Sequence, residues 1–346
     1  MESKKILVTG GSGYIASWVV RYLLEDGHYV RATVRNRNDQ KKIAHLQDLG
    51  EKHKGKLELF EADLLKEGSF DAPMEGCEIV IHTASPFFIK GIKDAQKQLI
   101  DPALSGTRNV LEAANRIESV KRIVLTSSVA AIYGDNIDAL KKSNRTFTEQ
   151  DWNESSSLTN QPYSYSKTLA EKEAWKICDA QSRWSLVVIN PAFVLGPSLS
   201  SRMDGTSVQF MHDLVGGPLK SGVPDLTFGI VDVRDVARAH TLAALNENSS
   251  GRHILCSDTR TFLEMAKALR DKFGKSLAIP RGQLPKFMVY MVGPIFGLSW
   301  GFLSKNLGVK YKLDHSRSVD DLGIEYRTVE ETLADHVEQM KASGLL

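Results

Sequence analysis

Cysteine is scarce in this chain: its 346 residues include three, Cys77, Cys178 and Cys256. They lie far apart and form no Cys-x-x-Cys pair, so neither a disulfide framework nor a cysteine-based metal site is expected, and a reducing, cytoplasmic setting is. An excess of either charge is lacking as well. The 44 Lys and Arg face 42 Asp and Glu, a net charge of +2 that leaves no general basic footprint for nucleic acid or anionic membranes. The opening residues, MESKKILVTG, run into a strand without the apolar core and cleavage site of a secretory signal. No internal repeat or low-complexity tract is present, and 42% hydrophobic and 25% charged residues suit a large buried core.

One uncharged run, Phe287–Leu303 (FMVYMVGPIFGLSWGFL), approaches the lower length of a bilayer span, about 17 residues. Gly293, Pro294, Gly297 and Gly301 interrupt it, so a buried or lid-like segment is expected rather than a membrane contact.

What the chain does have is alternation. Apolar, β-branched runs at Ile6–Val8, Tyr29–Val34, Leu57–Glu61, Ile79–His82, Ile123–Thr126 and Leu186–Ile189 read as parallel strands covered on both faces. Helical patterns separate them, such as Ser17–Glu25 and a helix expected to start with Asp101 as N-cap and Pro102 in its first turn. This order implies an α/β fold: a Rossmann-type, doubly wound parallel sheet with a smaller C-terminal substrate-binding domain. After Pro191 glycine and proline become frequent. Residues 1–190 plus 228–258 are expected to form the nucleotide-binding part, and 191–227 plus 259–346 the cap.

ILVTGGSGYIASWVV places a glycine-rich turn between the first strand and the first helix. It can be read as Gly10-x-x-Gly13-x-x-Ala16 or as Gly11-x-Gly13-x-x-Ala16, with Ser12 inside the turn in both. Either lets the backbone approach a pyrophosphate at the helix N-terminus. Where NAD-binding chains carry an acid for the adenosine ribose, at the end of the second strand, this chain has Arg35. Arg35 can grip a 2′-phosphate, helped by Lys42 and by Arg37 or Lys41, so NADPH is the expected cofactor. Asp39 comes too late to serve as the ribose acid.

QPYSYSKTLAEK, residues 161–172, puts Tyr163 and Lys167 one helical turn apart, on one face, with Tyr165 on another. A phenol is a sluggish acid at neutral pH, and a fixed ammonium beside it favours the phenolate. The fifth strand ends in LTSS, which puts Ser127 and Ser128 at the carboxyl edge of the sheet, where a hydroxyl can bond a substrate oxygen as charge develops. Ser128 is preferred, with Ser127 in reserve.

These residues resemble the extended short-chain dehydrogenase/reductase superfamily along nearly the whole chain: VTGGSGYIAS, ADL at Ala62–Leu64, VIHTASP at Val80–Pro86, GTRNVLEAA, LTSS, YSYSK, INPAFVLGP and VDVRDVARAH. Within it, VRATVRN, DPALSGTRNVLEAA, DWN at Asp151–Asn153 and YSKTLAEKEAW look like the branch of dihydroflavonol reductases, cinnamoyl-CoA reductases and microbial aldehyde/ketone reductases. The resemblance implies that Ser128, Tyr163 and Lys167 are catalytic. It also implies that Gly10, Gly13, Tyr14 and Ile15 line the pyrophosphate loop, with Arg35 and Lys42 on the 2′-phosphate and Asp63 and Leu64 at adenine. Thr83, Ala84 and Ser85 would flank the ribose and phosphates, and Pro191 and Val194 the nicotinamide. His82 would be strand-end packing, not a base.

Two departures limit the substrate. QPYSYSK differs from the Asn-Trp-Tyr-Cys-Tyr-Gly-Lys signature of cinnamoyl-CoA reductases, and Tyr133 stands where plant flavonoid reductases place an asparagine. The expectation is an NADPH-dependent carbonyl reductase, monomeric or homodimeric, acting on a small apolar or aromatic carbonyl compound beside Phe87, Phe88, Tyr133, Phe193 and Phe210. A flavonoid reductase, a sugar-nucleotide epimerase, a steroid dehydrogenase/isomerase and a non-catalytic NADPH sensor are the rivals. Arg35 speaks against the NAD-preferring ones, and the intact Tyr163–Lys167 pair against the sensor.

Overall fold

The computed structural model of the chain describes residues 2–85 and 93–346. Its first half alternates β1 (Lys5–Thr9), α1 (Tyr14–Glu25), β2 (Tyr29–Val34), α2 (Gln40–Lys52), β3 (Leu57–Glu61), α3 (Asp71–Met74), β4 (Ile79–His82), α4 (Asp101–Arg116) and β5 (Arg122–Thr126). Then come a short β6 (Thr146–Phe147), α5 (Pro162–Asp179), β7 (Ser185–Pro191), β8 (Phe193–Leu195), α6 (Thr206–Val215), β9 (Thr227–Asp232), α7 (Val233–Leu245) and β10 (Gly251–Leu255). The chain ends with β11 (Asp258–Thr261), α8 (Phe262–Phe273), α9 (Lys286–Val292), α10 (Trp300–Asn306), β12 (Lys312–Leu313), α11 (Ser316–Leu322) and α12 (Val329–Ala342).

Seven strands form one parallel sheet in the order β10-β7-β5-β4-β1-β2-β3. The strands are apolar on both sides because both sides are covered. Ile6, Val8, Ile81, Val124 and Val187 point into the core under α1 and α7, while Leu7, Val80, Ile123, Leu125 and Val188 point into the core under α4 and α5. The order reverses between β1 and β4, and ligands of open α/β sheets bind outside the carboxyl ends of the strands at such a switch point.

A separate core, built on Leu195, Met211, Leu214, Ile230, Met265, Leu269 and Leu333, joins α6, α8 and α12 to a three-stranded sheet, β11-β9-β8. Within residues 228–258, expected in the nucleotide-binding part, β9 pairs with β8 and β11 in the small sheet, while α7 and β10 pack on the large one. Ile230 belongs to the cap core while its neighbour Val231 faces the large one, so β9 is shared between the two parts.

One local expectation changes and another is filled in. Asp101 does not cap α4, because a π-helical turn, Gln96–Ile100, precedes it and Ile100 is itself helical. Pro102 has no N–H and its ring crowds the turn before it, which the wider π turn accommodates. The Phe287–Leu303 run is cut by Gly293 and Gly297 into α9, a 3-10 turn and α10, with Val289, Gly293 and Leu303 buried but Phe287, Met291, Ile295, Phe296 and Trp300 exposed. Among the described residues no helix is long and apolar enough to cross a membrane.

Candidate active site

The glycine turn lies flush against two strands. Gly10 has φ +66, and a side chain there would meet Ala84 Cβ at 3.0 Å; one on Gly11 would meet Ala32 Cβ at 2.7 Å. Both sequence readings of the motif are therefore in use, Gly10 for its left-handed backbone and Gly11 for close approach. The Gly10 amide donates to Thr33 Oγ1 at 3.1 Å and that of Gly13 to the Gly10 carbonyl at 2.8 Å. Tyr14 opens α1, but its hydroxyl is directed away, donating to the Gly196 carbonyl at 2.5 Å, so Tyr14 can line the loop only through its backbone. Ser12 and Ile15 remain beside the turn, both half-buried.

At the end of β2, Arg35 is exposed and makes no ion pair among the described residues, as a 2′-phosphate ligand requires. Lys42 is less available, since it pairs with Asp39 at 2.7 Å, and the Arg37 amide is bonded to Glu61. The Asp63 carboxylate accepts the Leu65 amide, and the Leu64 carbonyl is held by Asn109 at 2.6 Å, which fixes the turn expected at adenine.

Thr9, which the motif did not single out, organises the end of β4. Its hydroxyl meets His82 Nδ1 at 2.8 Å and accepts the amides of Thr83 and Ala84 at 3.2 and 3.1 Å. Burial, with the nearby Lys167 charge adding to it, pushes His82 down to about 3, so it stays neutral and is a weak base near pH 7.

The helix carrying the tyrosine starts abruptly. Gln161 takes a left-handed conformation, φ 53, and Pro162 fills the first turn. Asp135, fully buried, accepts from Gln161 at 3.2 Å, Asn160 at 2.9 Å and, from α10 of the cap, Asn306 at 2.8 Å. Lys167 Nζ lies 5.9 Å from the Tyr163 ring centre and donates to Ser85 Oγ at 3.0 Å. Burial presses Lys167 down to about 8, with Glu171 pulling the other way, and burial raises Tyr163 well above a free phenol.

The two serines separate cleanly. Ser127 is buried and donates to Glu171 Oε2 at 2.5 Å, whereas Ser128 is half-exposed and caps the short turn Val129–Ala131 by accepting the Ala130 amide at 3.1 Å. That turn rests on α5 through Thr168, the residue after Lys167. Ser85, Ala84, Leu64, Ser127, Lys167 and Glu171 line one cleft, which brings Lys167 and the reserve serine together with three of the residues expected at the cofactor. Pro191 ends β7 and is buried; Val194 sits half-buried in β8.

Of the expected substrate rings, Phe87 and Phe88 lie outside the described residues. Phe193 and Phe210 stack edge to face, centroids 4.9 Å apart, within a cluster that includes Phe228 and Phe262. Tyr133 stacks on Phe147 at 4.6 Å and donates its hydroxyl to Tyr311 at 2.6 Å. These three rings are therefore at least partly structural, because aromatic pairs bury faces that a ligand would use.

A parallel sheet with its glycine turn at the switch point, and a tyrosine–lysine helix beside it, defines a dinucleotide-dependent oxidoreductase. Residues 6–256 match the NAD dependent epimerase/dehydratase family, and the chain belongs to it, within the extended short-chain dehydrogenases/reductases. A cinnamoyl-CoA reductase of Medicago truncatula is 39% identical over 348 residues, covering 97% of this chain and 95% of that protein. An anthocyanidin reductase of Vitis vinifera is 34% identical, with 99% and 97% covered. The structure of yeast methylglyoxal/isovaleraldehyde reductase Gre2 complexed with NADPH matches with a TM-score of 0.80 at 27% identity, covering 99% of this chain and 100% of that one.

Proposed function

We propose that this chain is an NADPH-dependent carbonyl reductase for apolar or aromatic aldehydes and ketones. The observation that carries the reading is the position of Lys167, within reach of both Tyr163 and Ser85 at the carboxyl edge of the sheet. NADPH, when bound, supplies the hydride. The glycine turn and the α1 N-terminus receive its pyrophosphate, Arg35 its 2′-phosphate, and Lys167 and Ser85 the ribose nearest the reaction. Ser128 donates to the carbonyl oxygen as negative charge gathers there, and Tyr163 delivers the proton that completes the alcohol. Lys167 makes that proton easier to give.

The likeness to cinnamoyl-CoA and anthocyanidin reductases supports the branch, and the likeness to Gre2 supports small carbonyl substrates. The Tyr133 hydroxyl gives its proton to Tyr311, so it has no donor to offer a flavonoid at that position. Three free cysteines, two of them buried, suit a reducing, cytoplasmic compartment. Tyr163→Phe is the test. It should lower turnover by about 100-fold or more, the range of general acid catalysis, while NADPH binding stays near wild type. A variant that keeps its activity on every reducible aryl ketone, aldehyde or diketone tried would remove Tyr163 from the chemistry.

A further inference from the structure

The reading above leaves one costly feature without a task. Glu171 is fully buried one helical turn beyond Lys167, and its Oε1 accepts Arg252 Nε from β10 at 2.5 Å and Trp175 Nε1 at 3.4 Å. Its Oε2 accepts Ser127 Oγ at 2.5 Å and Asn190 Nδ2 at 2.8 Å. Desolvating two charges offsets most of their attraction, so a buried ion pair is weak evidence for a stabilising role, and apolar residues of the same volume often serve a fold as well.

What the pair touches suggests another use. Asn190 also donates to the Ser128 carbonyl at 3.2 Å, and Arg252 holds the carbonyls of Glu149, Asp151 and Ala131, its guanidinium 3.9 Å from the Trp152 ring centre. One carboxylate thereby connects α5, the end of β7 and the turn that follows β5. Tyr163, Lys167 and Glu171 recur at four-residue intervals, so they share a helix face.

We propose that Glu171, fixed by Arg252, is a positioning residue for the reduction: it is the counter-charge of Lys167 and, through Ser127 and Asn190, the anchor that aims the Ser128 turn at the substrate oxygen. This rests on the roles given above to Ser128, Tyr163 and Lys167. The charged or titratable groups around the lysine are Glu171, Arg252 behind it, Tyr163 and the neutral His82. Removing the carboxylate leaves Lys167 facing desolvation without the opposing pull of Glu171, so it surrenders its proton at lower pH.

The experiment compares Glu171→Gln, which keeps the shape but strands Arg252, with the double variant Glu171→Gln/Arg252→Met, which removes both charges. Thermal unfolding, NADPH titration and the pH profile of kcat are read for each. The double variant should regain most of the stability lost in Glu171→Gln and bind NADPH, yet keep a kcat at least about tenfold down, with its alkaline limb at lower pH than wild type. Recovery of kcat together with stability, or an unmoved limb in Glu171→Gln, would show that the pair serves the fold alone. Should the double variant not fold, the limb of Glu171→Gln decides the matter by itself. Tyr163→Phe measured alongside separates the two levels: an inactive Tyr163→Phe beside an active double variant overturns only this inference, whereas an active Tyr163→Phe overturns the catalytic reading beneath it.

Discussion

Replacing Lys167 by methionine keeps the stem of the side chain and deletes its charge. The ammonium lies 5.9 Å from the Tyr163 ring centre. With the ring centre standing in for the phenolate charge and an effective dielectric of ~20, a unit charge at that distance would stabilise the phenolate by about 3 kcal/mol, or about two pKa units. It works against burial, which lifts the phenol above its usual value. Without it Tyr163 holds its proton more tightly, and kcat should fall about 100-fold if all of that acidity is felt in the transition state, or about tenfold if half is. The wild-type protein should show the same loss by itself on raising the pH. Burial sets Lys167 at about 8, so its charge is present below that pH and disappears above it. Turnover should therefore have an alkaline limb near pH 8, and Lys167→Met should lack it. Following NADPH absorbance at saturating cofactor and carbonyl substrate, from neutral to alkaline pH, reads both effects. A variant within about threefold of wild type at neutral pH, or one that retains the limb, would refute the electrostatic argument. Stability should move the other way. The charged lysine is disfavoured in the fold below pH 8, and apoprotein stability recovers as pH climbs from about 8 toward 10.5, by at most roughly 3 kcal/mol from this group.

Arg35→Ala should weaken NADPH binding about 10- to 100-fold, the worth of a charged hydrogen bond to phosphate, and leave NADH nearly unchanged. Lys42, tied to Asp39, is poorly placed to compensate, so an unaltered NADPH over NADH ratio would count against the 2′-phosphate assignment. Gly10→Ala places a methyl 3.0 Å from Ala84 Cβ on a left-handed backbone. A loss of about 1–2 kcal/mol in urea unfolding, together with weaker NADPH binding by fluorescence titration, is expected; a neutral substitution would mean that the turn is looser than its geometry.

The large sheet was legible because its strands are covered twice, and double coverage writes itself into sequence as short apolar runs with helices between them. Each of the six strands read that way is present within two residues. β10 is harder to read, since Arg252 and His253 interrupt its apolar character; both are buried, and the partner that makes Arg252 tolerable is 81 residues away. The sheet to which β9 belongs is hidden for a related reason. Its residues face two cores at once, and a pattern of apolar positions says that both faces are covered, not by what.

The same distinction runs through the site. Tyr163 and Lys167 could be paired from sequence because their relation lies within one helix, where four residues fix the geometry whatever surrounds them. Glu171 carried that signal too, as the next position on the same face, but a glutamate after a lysine on a helix reads as a solvated pair until its burial is known. The choice between Ser127 and Ser128 could not be made that way. Consecutive residues at a strand end point to opposite sides, and which hydroxyl is engaged by the protein depends on Glu171, Asn190 and Arg252 arriving from one helix and two other strands. The network that ties up one hydroxyl and not the other contains the carboxylate that follows Lys167 on its helix face, so, under the roles proposed for Ser128 and Tyr163, altering Glu171 should disturb oxygen binding and proton delivery together.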